Sequence, residues 1–186
     1  MKVIIAGRPN TGKSTLFNGL TGTRDALVHD RPGVTRDNLG GTMRDRPYQI
    51  MDTAGLENAK SGIAADSTNM ALGAIADADA ILFVVDGRTG LTGEDLDWAR
   101  LVRRKTRAPV LLLANKAESS QRLADLADFY KLGFGAPVKI SAEHKSGFGA
   151  IYEFLDKTAN EIGATATATD TPDDNRIKIA ILGQPN

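Results

Sequence analysis

The stretch Gly7-Arg8-Pro9-Asn10-Thr11-Gly12-Lys13-Ser14 follows an apolar run, Val3-Ile4-Ile5-Ala6, and precedes a helix-compatible segment, Thr15-Leu16-Phe17-Asn18-Gly19-Leu20. Strand, glycine-bearing loop and helix in this order form a phosphate cradle. The glycines let the chain curl so that successive backbone N–H groups face one anion, the helix N-terminus adds positive potential, and Lys13 reaches the outer phosphates. Ser14 is then placed to ligate magnesium, and Gly7 to Thr15 as a whole is assigned to the bound nucleotide. A chance match to the four fixed residue types should arise in only about one chain of this length in a hundred.

Working outward, apolar runs of strand length recur at Val3 to Ala6, Ala80 to Val85, Val110 to Ala114 and Val138 to Ile140. Continuous runs of this kind read as parallel strands buried on both faces. A weaker strand, Tyr48 to Met51, precedes Asp52, and Asn38 to Arg44 is expected beside it as an antiparallel edge. Helices are expected over Lys13 to Leu20, Ala64 to Ala76, Glu94 to Arg104, Gln121 to Tyr130 and Phe148 to Ile162. The fold class is α/β, a three-layer αβα sandwich with a mostly parallel sheet, whose ligand site lies at the carboxyl ends of the strands.

With 186 residues and 41% hydrophobic content the chain can build one full domain. Lys plus Arg equals Asp plus Glu, 23 each, so bulk charge gives no reason for nonspecific binding to nucleic acid or anionic membranes. The absence of cysteine excludes disulfides, thiolate metal sites and a cysteine nucleophile. The apolar runs are far shorter than a bilayer span, and a soluble, cytoplasmic protein is expected.

The expected phosphate-binding domain occupies residues 1–162. Residues 163–176 read as a flexible acidic linker, Ala-Thr repeats followed by Thr-Asp-Thr-Pro-Asp-Asp-Asn. Ile177 to Asn186 then repeats the strand and loop opening of Met1 to Asn10, with Gly183-Gln184-Pro185-Asn186 in place of Gly7-Arg8-Pro9-Asn10. A first strand of a second phosphate-binding domain is expected there, cut before its Gly-Lys-Ser; a last strand of the same domain is the alternative.

Further motifs carry chemistry. In Asp52-Thr53-Ala54-Gly55, at the end of a strand, the carboxylate can hold magnesium through water and the glycine N–H can meet a terminal phosphate. In Asn115-Lys116-Ala117-Glu118, a carboxylate can accept both N1–H and N2–H of guanine, a donor pair that adenine lacks, which points to GTP. Ser141-Ala142-Glu143 can offer backbone N–H to the guanine carbonyl. The loop His29 to Asp37, with little apolar content, is expected to order when Thr35 ligates magnesium and contacts the γ-phosphate, and Leu56 to Ser67 is a second candidate switch.

The ensemble resembles the translation-factor-related GTPases. Gly7 to Thr15, Pro32-Gly33-Val34-Thr35-Arg36-Asp37, Asp52 to Leu56, and the linker into a second Gly-Gln-Pro-Asn are similar to the Der (EngA) family of tandem GTPases. That resemblance implies a Ras-like G domain and a bacterial cytoplasmic GTPase that assists assembly of the large ribosomal subunit. It also implies a second G domain and a KH-like RNA-binding domain in cis. The pattern departs from the family at Glu118, where Asp is usual, and at Thr11, where Val or Ala is common. Guanine preference is expected to survive the first change, and the second should be silent.

Lys13 and Thr35 are the expected catalytic groups. Leu56 stands where Ras-like enzymes place a water-orienting glutamine, so intrinsic hydrolysis should be slow. In relatives with this replacement a loop asparagine helps hold potassium. Asn10 matches it, its carbonyl oxygen acting with switch-loop carbonyls; a simple turn residue is the other reading. A nucleotide-sensing module with negligible turnover, another Era-like or TrmE-like GTPase, and the G domain of a ferrous-iron transporter are the alternatives. Glu57, His29 and His144 receive no role. Arg100, Arg103, Arg104, Lys105 and Arg107 read first as a solvated helix end, with an RNA patch as the alternative, and Trp98 as packing on that helix.

Overall fold

The structure is a computed structural model and describes residues 1–22, 40–53, 71–117 and 123–163. Six strands form one sheet: β1 (Lys2–Ala6), β2 (Gly40–Thr42), β3 (Gln49–Asp52), β4 (Ala80–Asp86), β5 (Val110–Asn115) and β6 (Val138–Ile140), in the order β2-β3-β1-β4-β5-β6. Only the β2–β3 pair is antiparallel, the other neighbours being parallel. The expected mixed sheet with one antiparallel edge is what forms.

Alternation along the strands sorts side chains onto two faces. Val3, Ile5, Leu82, Val84 and Leu113 pack with Leu16, Phe17 and Leu20 of α1 (Lys13–Thr21) and with Ile151 and Leu155 of the last helix. Ile4, Ile81, Phe83, Val85 and Leu112 face the other way. They meet Ile75 of α2 (described over 71–76), Ala99 and Val102 of α3 (Gly93–Lys105), and Leu126, Phe129 and Leu132. Because β4 is covered on both sides, all seven of its residues are buried.

Helix α3 starts with a capping box: the Thr92 hydroxyl accepts from the Asp95 N–H while the Asp95 carboxylate accepts from the Thr92 N–H. Its last turn carries Arg103, Arg104 and Lys105, complementing the negative end of the helix dipole. Trp98 is half-buried and packs against the second core face. Helix α4 (Phe148–Glu161) ends one residue short of its expected limit.

One element differs in kind. The α-helix expected over Gln121 to Tyr130 is a 3₁₀ helix, Leu123–Leu132. Its apolar residues Leu123, Leu126, Phe129 and Leu132 recur every three positions, a spacing that suits three residues per turn. Leu126, Phe129 and Leu132 are buried together.

Parallel neighbours β3 and β4 flank β1, so their carboxyl ends open a crevice beside the loop that follows β1. Among the described residues no helix is long and apolar enough to cross a membrane.

Candidate functional site

The phosphate loop leaves β1 at Gly7, whose φ is +143°, and a Cβ there would overlap the Val84 carbonyl of the neighbouring strand. Glycine is required by that close approach. Pro9 and Asn10 are exposed at the crest. Asn10 has φ +64°, a left-handed conformation that asparagine tolerates better than most residues. The loop re-enters at Gly12, φ +92°, which caps α1 with no side chain of its own. No acidic residue stands in the first turn of α1 to compete for an anion.

Lys13 is buried, and its Nζ donates to the Arg8 carbonyl at 2.8 Å, which also accepts from Thr11 Oγ1 at 3.1 Å. Ser14 Oγ donates to Asp52 Oδ2 at 2.7 Å. The hydroxyl and carboxylate expected to share magnesium therefore meet, and both are hard oxygen donors of the kind that ion takes. Next to them, the buried Thr53 Oγ1 has no hydrogen-bond partner among the described residues. Thr15 lies exposed on α1.

The guanine side is attached to this loop. Asn115, buried at the end of β5, donates from Nδ2 to the Thr11 carbonyl at 2.9 Å and accepts at Oδ1 from the Ala142 N–H at 2.9 Å. One amide thus joins the phosphate loop, β5 and the segment after β6. The Ala142 N–H, one of those expected to serve guanine, is committed to Asn115. Ser141 is buried and exchanges backbone bonds with Ser146 at 3.1 Å, while Glu143 is exposed. Lys116, with φ +63°, donates from Nζ to the Asn10 carbonyl and to Asp86 Oδ2, each at 2.7 Å. The Asn10 main-chain oxygen is therefore occupied by an ammonium group. Ala117 is buried behind it.

Two acids escaped the sequence reading. Asp86 ends β4, and burial raises its carboxyl pKa. Hydrogen bonds from Lys116 and from the Arg88 and Thr89 amides outweigh that and hold it below the ordinary carboxylate value. Asp95, fully buried, places Oδ1 3.2 Å from Arg8 Nε. The Thr-x-x-Asp pattern was readable as a helix start, but it carried no sign of the phosphate loop.

The positions Thr35, Ala54, Gly55, Leu56, Glu57 and Glu118 lie outside the described residues, as do His29 to Asp37, Leu56 to Ser67, residues 164–176 and the repeat at 177–186. At the opposite end of the strands, a surface groove of about 410 Å³ lies among Val102, Arg103, Thr106, Arg107, Val110 and Phe134. There Arg103 sits over the Phe134 ring at 5.9 Å, while Arg100, elsewhere on α3, pairs with Asp97 at 2.7 Å.

A family profile described as 50S ribosome-binding GTPase matches residues 2–116. GTPase Der of Thiobacillus denitrificans is 46% identical over 188 residues, covering 99% of this chain and 39% of that protein. Among solved structures, Aquifex aeolicus Era bound to GDP.AlF4- has a TM-score of 0.67 at 26% identity, over 84% of this chain and 56% of that one. The G domain of the T. maritima FeoB iron transporter has a TM-score of 0.59 at 26% identity, over 86% of this chain and 98% of that one. The chain spans about two fifths of the length of the curated relatives it matches. The fold is that of the phosphate-loop GTPases, and the identity to the iron-transporter domain, 26%, is lower than the 46% to GTPase Der. The chain belongs to the 50S ribosome-binding GTPase family, and its identity along nearly its whole length groups it with the GTPase Der proteins.

Proposed function

We propose that this chain is a GTP-binding, GTP-hydrolysing switch domain of a GTPase that acts in assembly of the large ribosomal subunit. The observation that carries the nucleotide reading is the Asn115 side chain. By bonding Thr11 and Ala142 at once, it fixes the distance between a phosphate cradle and a base pocket. Guanine is the base that fits, because a carboxylate at Glu118 accepts the paired donors of guanine and finds only one in adenine. The ribosomal role rests on the family description and on the match to GTPase Der proteins.

Lys13 leaves the Arg8 carbonyl for the β- and γ-phosphates, whose charge outcompetes a neutral oxygen. Ser14, Asp52 and Thr35 would hold magnesium, which would supply charge neutralisation on the phosphate oxygens. Backbone N–H groups of Gly7 to Thr15, Pro9 excepted because it has none, would face the phosphates, and Thr53, Ala54, Gly55 and Leu56 are assigned to the same phosphates. Leu56 cannot orient the attacking water, so turnover is slow. Potassium near Asn10 would draw on its side-chain amide oxygen, since a second cation beside Lys116 Nζ is repelled. The rest of the unit is residues 163–176 as an acidic linker and 177–186 as the first strand of a second G domain, with a KH-like domain beyond, in a cytoplasmic protein.

The test is GTP hydrolysis and fluorescent-GDP binding by the chain with magnesium, in potassium and in sodium chloride, with Lys13→Ala as the blank. Slow turnover that rises in potassium and disappears in the blank is expected. Equal affinity for ATP and GTP analogues would sink the guanine assignment. Tight GDP binding with no turnover in either salt would favour a nucleotide-sensing module instead.

A further inference from the structure

The segment from Asp86 to Asp95 joins β4 to α3 and touches both halves of the nucleotide site. At its start the Gly87 N–H donates to the Asn115 carbonyl at 2.7 Å, and a Cβ on Gly87 would lie 2.8 Å from the Ala117 Cβ. Asp86 Oδ1 accepts from the Arg88 and Thr89 amides at 2.9 and 3.3 Å, which leaves Oδ2 for Lys116 Nζ at 2.7 Å. At the far end Asp95 Oδ2 accepts from the Thr92 N–H and hydroxyl at 3.0 and 2.7 Å, while Oδ1 faces Arg8 Nε at 3.2 Å. Each carboxylate therefore uses one oxygen to shape its own segment and turns the other to a cation of the site.

Those cations are well placed to transmit position. Lys116 also grips the Asn10 carbonyl, and the Arg8 carbonyl receives Lys13 and the Thr11 hydroxyl. Capping α3 needs only Asp95 Oδ2, and closing the turn after β4 needs only Asp86 Oδ1. The remaining oxygens are free of any local task. Among the described residues Arg8 Nε, Arg8 Nη2 and Asp95 Oδ1 are buried without a well-aligned hydrogen bond, so that pair is held by charge in a water-poor setting. Removing either member would strand the other.

We infer that Asp86 and Asp95 are positioning residues of the nucleotide site, Asp95 setting the phosphate loop through Arg8 and Asp86 setting the guanine side through Lys116. The segment between them acts as a brace across the two motifs. This rests on the reading that the site takes a guanine nucleotide.

The experiment is release of a fluorescent GDP analogue from the 186-residue chain with magnesium, for Asp95→Asn, Arg8→Met and their double variant, and likewise for Asp86→Asn, Lys116→Met and their double variant. Each aspartate variant should release GDP about tenfold faster, and that effect should vanish in the background lacking its cation. Melting temperatures without nucleotide should fall in Asp95→Asn and in Arg8→Met, each of which strands a buried partner, and recover in their double variant, while Asp86→Asn, whose asparagine keeps the turn bonds, should melt near the parent chain. Asp95→Glu keeps the charge and should restore most of the slow release. If Asp95→Asn does not fold, release from Asp95→Glu as fast as from Arg8→Met overturns the inference. Additive effects, or unchanged release in the aspartate variants, also overturn it. A parent chain that fails to hold GDP would instead sink the nucleotide reading itself.

Discussion

The phosphate loop after β1 is shaped by its backbone, whereas the guanine side after β5 is held by side chains. At the first, Gly7 and Gly12 take conformations of positive φ and bring the chain against Val84 and Asn115. At the second, one asparagine amide and one lysine ammonium supply the bonds to the rest of the site. A backbone-built cradle presents N–H groups to any phosphate and so carries no information about the base. A side-chain-built pocket selects the base but depends on distant partners. The two fail in different ways, and substitutions should separate them.

The largest effect is expected at Gly7. A Cβ there meets the backbone carbonyl of Val84, in the central strand, which cannot rotate away as a side chain would. Gly7→Ala should lower stability by about 3 kcal/mol in urea titration and abolish binding of a fluorescent GDP analogue. A variant that kept full affinity would show that the cradle is not set by this close approach.

Next comes Asn115→Ala, which leaves the Thr11 carbonyl and the Ala142 amide without their partner. Stability should fall by about 2 kcal/mol and GDP affinity by about a hundredfold. Inorganic pyrophosphate, which has no base, should lose far less affinity. Equal losses for both ligands would break the division of labour between the two ends. A smaller change is expected from Glu118→Asp. Shortening the carboxylate by a methylene should tighten GDP about tenfold or less while leaving preference over ADP in place, since acceptor number is unchanged. Competition binding with ADP checks both parts.

What was legible in the sequence follows the same division. The cradle could be read because glycine, lysine and serine at fixed spacing act through local backbone geometry. The strands could be read because β4 is an unbroken apolar run, Ala80 to Val85, of the kind that two covered faces require. The pairs Arg8–Asp95 and Lys116–Asp86 could not, because they arise only once β1, β4 and β5 lie side by side. Sequence spacing says nothing of that order. The 3₁₀ helix was missed for a different reason. Leucine and phenylalanine every third residue satisfy one face of an α-helix over a short span as well as they satisfy three residues per turn.

The smallest effect is expected away from both ends, where the β2–β3 hairpin meets α4. Arg46 Nε reaches both oxygens of Asp156 at 2.9 and 3.1 Å, Nη2 adds a bond at 2.9 Å, and the Tyr48 hydroxyl donates at 2.8 Å. The Arg46 hydrogen bond lowers the Asp156 carboxyl pKa below its ordinary value of 3.8, partly opposed by burial and assisted by Tyr48. A carboxyl pKa depressed on folding stabilises the fold above the unfolded value and loses that contribution as pH falls through the folded one. The stability difference between the parent chain and Asp156→Asn should therefore be constant from neutral pH to about 5 and shrink below about 4. Both groups of this pair are more than a third exposed, so the difference should be about 1 kcal/mol or less. GDP release should not change. If it did, the hairpin at the sheet edge would be coupled to the site through α4, and the side-chain network at the guanine end would no longer be the only long-range support of the pocket among the described residues.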